Sequence, residues 1–237
     1  MRISNIRRKV NALVEEHPLE LVRKALLRVS FGSIDVNCLN VLEYQASAGK
    51  SEADLTVPLR EASVSDIEEL TKCQGTPVED FLKRFDANDH CVVALVRGEV
   101  VGYEWFCYRP FCIEDRYSYK LDIPADTLYA YDAFVVPQYR RLAIWKQFHT
   151  RYLKDLMPRL DRCKVLAMVD SGNQLSMTAH LRLGYKLLRK VFIAKLFGRS
   201  FFLKWPVVDQ KRFDRPPFPV PSTPTAIDAR GERSLQS

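Results

Sequence analysis

The sequence lacks the features that mark several special classes of protein. Its 237 residues are 47% hydrophobic and 27% charged, a balance that excludes disorder throughout, a collagen-like fibre and a coiled coil. No window approaches the ~18 uninterrupted apolar residues of a membrane helix. The first residues are charged too often for a signal peptide. We therefore expect a cytoplasmic globular protein with one core of ordinary size and some appendages.

Paired cysteines are also missing. None of the six cysteines has the C-x-x-C spacing of a zinc or redox site, so no metal is expected. Each stands alone, most of them in apolar runs, and this favours reduced core residues in a reducing compartment.

Acidic residues are absent between positions 171 and 208, whereas seven Lys and Arg residues lie there. This stretch could attract a polyanion or a phosphorylated cofactor, or could be a solvated basic face. No recognised RNA or DNA motif accompanies it, so we do not expect a nucleic-acid partner.

Composition divides the chain into three zones. Residues 1–54 form an N-terminal extension with an amphipathic stretch, an apolar helix at Leu19–Val29, a strand at Val36–Tyr44 and a polar linker. Residues 206–237 are rich in proline and predict a disordered tail. The amphipathic stretch is expected to pack on the protein's own sheet. Its alternatives are a membrane surface, without integral contact, or a second copy in a homodimer.

The middle zone, residues 55–205, alternates strands and helices in the order β-α-α-β-β-β-α-β-α-β-β. Helices are expected from Ser63 to Lys72, after Thr76, and over Arg140–Leu156 and Asn173–Leu183. The loop from Arg109 to Asp126 is long for a strand connection and is expected to cover a substrate site.

The segment from Tyr129 to Phe148 reads as a strand, a turn and a helix start. It resembles the acetyl-CoA site of the GNAT N-acetyltransferases, whose pattern is Gln/Arg-x-x-Gly-x-Gly/Ala. Arg140 matches the first position, Ala143 the first glycine, and Trp145 departs from the second. In such a site backbone amides at a helix N-terminus bind the pyrophosphate, and an indole must point away from it or narrow the groove.

A second resemblance to the same family lies downstream, in Asn173-x-x-Ser176-x-x-x-His180-x-x-x-Gly184-Tyr185. The resemblance covers about 150 residues. It implies an α/β (α+β) fold: a mixed, mostly antiparallel twisted sheet with helices on both faces. The fourth and fifth strands, Leu128–Val136 and Lys164–Val169, would splay apart to admit acetyl-CoA.

The resemblance further implies acetyl transfer from acyl-CoA to an amine. The residues that it places at acetyl-CoA are Phe134, Val135, Val136, Arg140, Arg141, Leu142, Ala143, Ile144, Trp145, Asn173 and Ser176. Amides near Phe134–Val136 would stabilise the oxyanion. Asn173 is equally well explained as a plain helix cap, and Arg140 and Arg141 as an exposed helix start.

Acyl transfer also needs a base for the amine and an acid for the departing thiolate. Asp132 and Glu104 are the candidate bases, since both carboxylates lie on central strands, although each could be an ion-pair partner. His180 occupies the position of a family tyrosine and is the candidate acid.

Two other functions stay open. One is transfer of a longer acyl chain from acyl carrier protein, whose acidic surface would suit residues 171–208. The other is a non-catalytic CoA-sensing or interaction module, consistent with Trp145. The acceptor, expected to be a small-molecule amine, is not identified by the sequence.

Overall fold

The computed structural model describes residues 18–31, 33–45 and 57–206. The helices are α1 Pro18–Val29, α2 Ile67–Gln74, α3 Val78–Asp86, α4 Ile144–Gln147, α5 Leu153–Arg159 and α6 Gln174–Leu183. The strands are β1 Ile34–Gln45, β2 Leu59–Glu61, β3 His90–Val96, β4 Glu99–Cys107, β5 Phe111–Glu114, β6 Tyr119–Asp122, β7 Thr127–Val135, β8 Lys164–Asp170, β9 Lys186–Leu196 and β10 Arg199–Pro206. The predicted amphipathic N-terminal stretch, polar linker and proline-rich tail lie outside the described residues.

Eight strands form one sheet in the order β10-β9-β1-β8-β7-β4-β3-β2, and β5 and β6 form a separate hairpin. Among the strand pairs of the described residues, only β7–β8 is parallel. One face is covered by α1, α2, α3 and the hairpin, and the other by α4, α5 and α6. The predicted mixed, mostly antiparallel sheet with helices on both faces is confirmed. Among the described helices, none has the length and apolar character to cross a membrane.

Strand β1 corrects the predicted domain boundary at residue 55. Its residues pair with β8 along Leu39–Gln45 and with β9 along Ile34–Glu43, and Val41 and Leu42 are fully buried. Strand β1 therefore belongs to the same sheet as the strands of residues 57–206, because it lies between β9 and β8. The composition of residues 46–54 suggested a linker, but strand pairing between distant segments leaves no local signal.

Strands β7 and β8 pair only from Thr127↔Lys164 to Ala130↔Ala167 and then diverge. Beside the divergence β7 carries a bulge, since Asp132 and Ala133 together stand opposite Glu104 of β4. Asp132 has a left-handed φ of 44°. A Cβ on Gly102 of β4 would lie 2.9 Å from the carbonyl oxygen of Phe134, so glycine is needed where the two strands meet after the bulge. The predicted splay between these two strands is confirmed.

Candidate active site

A cavity of about 530 Å³ opens where β7 and β8 diverge, and we call it the splay cavity. The bulge of β7, the start of α4 and the start of α6 surround it. Of the site residues predicted from the sequence, all but Val136, Arg141 and Leu142 line this cavity. Two motifs about 30 residues apart in sequence therefore face one another across the splay.

The turn between β7 and α4 forms one wall of the splay cavity. Pro137–Leu142 forms a 3-10 turn, and Ala143 then adopts a left-handed φ of 50° before α4 begins at Ile144. Helix α4 continues through a π-helical turn, Phe148–Tyr152, into α5. The first-turn amides of such a helix have no acceptor within it and carry the positive end of its dipole.

Cations surround this helix start. Arg140, Arg141 and Lys146 are exposed, and the Nε of Arg140 donates to the carbonyl oxygen of Val135 at 3.2 Å. The arrangement suits a diphosphate, because unpaired amides and guanidinium groups are its usual partners. Leu142 instead turns into the hydrophobic core.

The free edge of β7 supplies a second set of amides. The amide of Val136 donates to Val101 of β4 at 2.9 Å, so it is not a free donor and the expectation that it serves the oxyanion is wrong. Because residues alternate along a strand, the amide of Val135 is directed to the opposite edge, toward the splay. Val135 is therefore the better-placed donor.

Asn173 caps α6, and its Oδ1 accepts from the amide of Ser176 at 3.0 Å. The N-cap explanation of this residue is therefore present in the structure. Its side chain also lines the splay cavity, so the cap does not remove it from the site.

His180 lies one helical turn after Ser176 on α6 and is 7% exposed. Burial lowers its pKa to about 4, and the nearby His149 adds to that shift. Its Nδ1 is 2.8 Å from the carbonyl oxygen of Ser176, so the neutral ring carries its proton there. The Nε2 atom is then unprotonated, and this geometry does not favour His180 as a proton donor to a thiolate.

Glu104 is buried at the floor of the splay cavity, with 2% exposure. Its Oε1 accepts from His149 Nε2 at 3.0 Å and from Trp145 Nε1 at 3.2 Å. His149 Nδ1 is in turn 3.1 Å from the hydroxyl of Tyr185. The other oxygen, Oε2, is buried and has no partner within the described residues.

Trp145, which replaces the second glycine of the motif, turns toward this floor. Its ring centroid is 4.4 Å from that of His149 and 4.6 Å from that of His180. The indole takes up part of the splay but leaves the cavity of about 530 Å³ beside it.

Asp132, at the bulge, forms an ion pair with Arg84 of α3. The guanidinium of Arg84 lies over the rings of Phe81, Trp105 and Tyr131, with its Cζ 5.3–5.4 Å from their centroids. These contacts fix Arg84 and, through it, the carboxylate of Asp132.

A second cavity, of about 770 Å³, lies beneath the β5–β6 hairpin, and we call it the hairpin cavity. Asp89 lines it and accepts from Tyr131 Oη at 2.6 Å and from Arg109 Nη2 at 2.8 Å. Segment 109–126 thus contains an ordered hairpin rather than a structureless loop. The two cavities share Tyr131, Asp132 and Met168. Asp132 is therefore the carboxylate at their junction.

Sequence reasoning missed Arg84, Asp89 and His149. Arg84 and Asp89 reach the site from α3 and the turn after it, 48 and 42 residues before their partners Asp132 and Tyr131. His149 does lie one turn after Trp145 on the helix that the motif opens, a signal that could have found it. Within the described residues, no group of three His, Cys, Asp or Glu side chains could hold a metal ion.

Neither a scan against protein-family models nor a search of curated proteins found a match. Solved structures do match. A protein from Novosphingobium aromaticivorans assigned to the GNAT acetyltransferase family gives a TM-score of 0.51 at 11% identity, over 74% of this chain and 69% of that one.

Two further matches have TM-scores below 0.5 and carry no argument. A functionally unknown protein from Staphylococcus epidermidis gives 0.48 at 13% identity, over 72% of this chain and 66% of that one. The aminoglycoside N-acetyltransferase AAC(6')-Iy in complex with CoA gives 0.44 at 16% identity, over 54% and 90%. The match with the Novosphingobium aromaticivorans protein confirms the resemblance seen in the motifs at the level of the fold. This chain has the fold of the GNAT acetyltransferases.

Proposed function

We propose that the protein is an N-acyltransferase that moves an acetyl or other short acyl group from acyl-CoA to a primary amine of a small-molecule acceptor. The observation that carries the proposal is the junction of two cavities at Asp132. Transfer between two substrates needs two binding spaces that meet at a group able to handle a proton.

The splay cavity suits acyl-CoA. The helix start at Ile144, with Arg140 and Lys146 beside it, would hold the diphosphate. The free edge of β7 and the cap at Asn173 would hold the amide-bearing arm. When bound, acyl-CoA supplies the activated acyl group, and the amide of Val135 is the donor best placed for the oxygen that becomes negative.

Asp132 is the favoured base. It lines both cavities, and its ion pair with Arg84 keeps the carboxylate fixed at the junction. There it can orient the ammonium group of an acceptor and receive its proton, directly or through water.

Glu104 is the second candidate for the base, because the residue lines the splay cavity and its Oε2 atom has no partner among the described residues. Its other oxygen is tied to Trp145 and His149. We assign Glu104 to the floor of the site, where it fixes Trp145 and His149, and Asp132 to proton removal. His180, neutral and hydrogen-bonded through Nδ1, is assigned to packing against the indole. The thiolate, a weak base, can leave with a proton from water.

A second candidate function, a CoA-sensing module without turnover, is favoured by one observation. Trp145 occupies a position where glycine or alanine allows close approach of a phosphate, and its indole narrows the splay.

One assay separates the two functions. Free thiol released from acetyl-CoA is measured with a panel of amines that includes polyamines, aminoglycosides, amino acids and sugar amines. Amine-dependent release supports the transferase. Binding of acetyl-CoA by calorimetry without thiol release for any amine supports the sensing module, and absence of binding rejects both.

A further inference from the structure

The sheet face that carries α4, α5 and α6 is left uncovered by the described residues at its β10 edge. Five large apolar side chains there are 38–60% exposed, and we call them the outer apolar face: Phe192, Leu196, Phe201, Leu203 and Trp205. The strand register places them on one side, since Leu203 pairs with Phe192 and Arg199 with Leu196. Exposed apolar areas of this kind mark interaction sites.

Two aromatic tips extend this face at one end of the sheet. Phe31, in the turn between α1 and β1, is 97% exposed, and Phe197, in the turn between β9 and β10, is 82% exposed. The turns adjoin, because the amide of Phe197 donates to the carbonyl oxygen of Ser33 at 2.8 Å. Both phenylalanines have left-handed φ angles, 51° and 48°, where asparagine or glycine is the favoured residue. Folding does not require phenylalanine at positions 31 and 197, because both side chains are exposed and both backbone conformations favour other residues.

The two strands that carry the face, β9 and β10, have charge of one sign. No acidic residue lies between positions 171 and 208. Arg199 on β10 and Arg28 beside the Phe31 turn are exposed, and Arg199 lies on the same side of the sheet as the outer apolar face because it pairs with Leu196. An apolar surface bordered by cations complements a surface that is anionic outside and apolar beneath.

The two terminal segments do not complement this charge, and residues 46–56 carry only one Lys, one Glu and one Asp. Residues 1–17 carry four Arg and Lys against two Glu, and residues 207–237 carry five basic residues against four acidic ones. A second copy docked face to face would bring Arg199 and its neighbours against the same cations.

We propose that the outer apolar face and the two tips bind an anionic membrane surface, with Phe31 and Phe197 inserted among the lipid chains. Arg28 and Arg199 would then contact the headgroups. This inference goes beyond the proposed function and does not depend on it.

The test is co-sedimentation of the full-length protein with vesicles. We expect binding to vesicles of equal parts phosphatidylcholine and phosphatidylglycerol, weaker binding to phosphatidylcholine alone, and release by salt. The double variant Phe31→Asn/Phe197→Asn is expected to bind these vesicles about tenfold more weakly than wild type. Asparagine suits left-handed turns, so this variant is expected to keep its melting temperature.

The matched control is Val64→Asn, at a residue that is 56% exposed beside α2, and it should bind like wild type. Arg199→Glu should lower binding to anionic vesicles, whereas Lys72→Glu, at an exposed residue of α2, should not. The proposal is overturned by no binding to anionic vesicles, or by equal binding of the double variant. Sedimentation of the vesicle-free protein as a dimer that Leu203→Ser dissociates would also overturn it, by assigning the face to a second copy.

Discussion

The splay cavity and the hairpin cavity meet at Asp132 but are built in different ways. The splay cavity is formed by backbone: a free strand edge, a left-handed residue at Ala143 and two helix starts. The hairpin cavity is formed by side chains from distant elements, in which Arg84 pairs with Asp132 and Arg109 with Asp89. Under the proposed function, the first construction would recognise what all acyl-CoA molecules share, whereas the second could vary with the acceptor.

The largest expected effect falls where the two cavities join. Asp132→Asn keeps an acceptor for Arg84 but removes the base, so we expect kcat to fall by about 10²–10⁴. The KM for acetyl-CoA should change little, because the splay cavity keeps its backbone donors. Steady-state thiol release measures both quantities.

The control for this variant is Asp80→Asn, which lines the hairpin cavity and pairs with the exposed Lys83. It should keep kcat. If Asp132→Asn turns over like wild type while Glu104→Gln does not, the assignment of the base passes to Glu104.

The next effect concerns His180, in the wall of the splay cavity. Its pKa is lowered to about 4 in the folded protein, whereas a histidine in the unfolded chain has a pKa of ~6.5. As the pH falls below ~6.5, the unfolded chain therefore binds a proton before the folded protein does. The free energy of unfolding should therefore fall by about 3 kcal/mol from this residue as the pH falls from 7 to 4. Denaturant unfolding of wild type and His180→Gln measures it.

The His180→Gln variant should lose less stability than wild type over that pH range and should keep most of its turnover at neutral pH. Equal pH dependence of the two proteins would show that the folded histidine keeps its ordinary pKa.

A smaller effect is expected at the helix start. Arg140→Ala/Arg141→Ala should weaken acetyl-CoA binding by about thirtyfold, since two lost phosphate contacts are worth on the order of 1 kcal/mol each. The KM for the amine should not change. Calorimetry at two salt concentrations tests this, with Arg97→Ala in the β3–β4 turn as the control. Equal weakening by Arg97→Ala would indicate a general charge effect.

The smallest effect is at Ala143, whose φ of 50° suits glycine. Ala143→Gly relieves a left-handed alanine at ~1–2 kcal/mol but adds freedom to the unfolded chain at ~0.4–1 kcal/mol. We expect a gain in unfolding free energy of roughly 0.5–1 kcal/mol, with tighter acetyl-CoA binding. Thermal and denaturant melts would detect it, and a loss of stability would contradict the assigned backbone conformation.

The same contrast explains what the sequence could predict. Arg140, Ala143 and Asn173 can be predicted to lie at one cavity, because a turn that opens a helix and a helix cap are local features with fixed spacing. The strand order was not predictable where β1 enters between β8 and β9, because strands that pair across more than 100 residues leave no periodic signal. Nor was the ion pair of Asp132 with Arg84, since Arg84 alone on α3 reads as an ordinary surface residue. The direction of the Val136 amide was not predictable either, because it depends on which strand pairs with β7 at that residue.

Hydrogen exchange with and without acetyl-CoA tests the assignment of the two cavities most directly. The account predicts slower exchange of amides at residues 133–135, 144–147 and 173–176 when acetyl-CoA is added, with no change in the β5–β6 hairpin. Slower exchange in the hairpin alone, or none at residues 144–147, would contradict it.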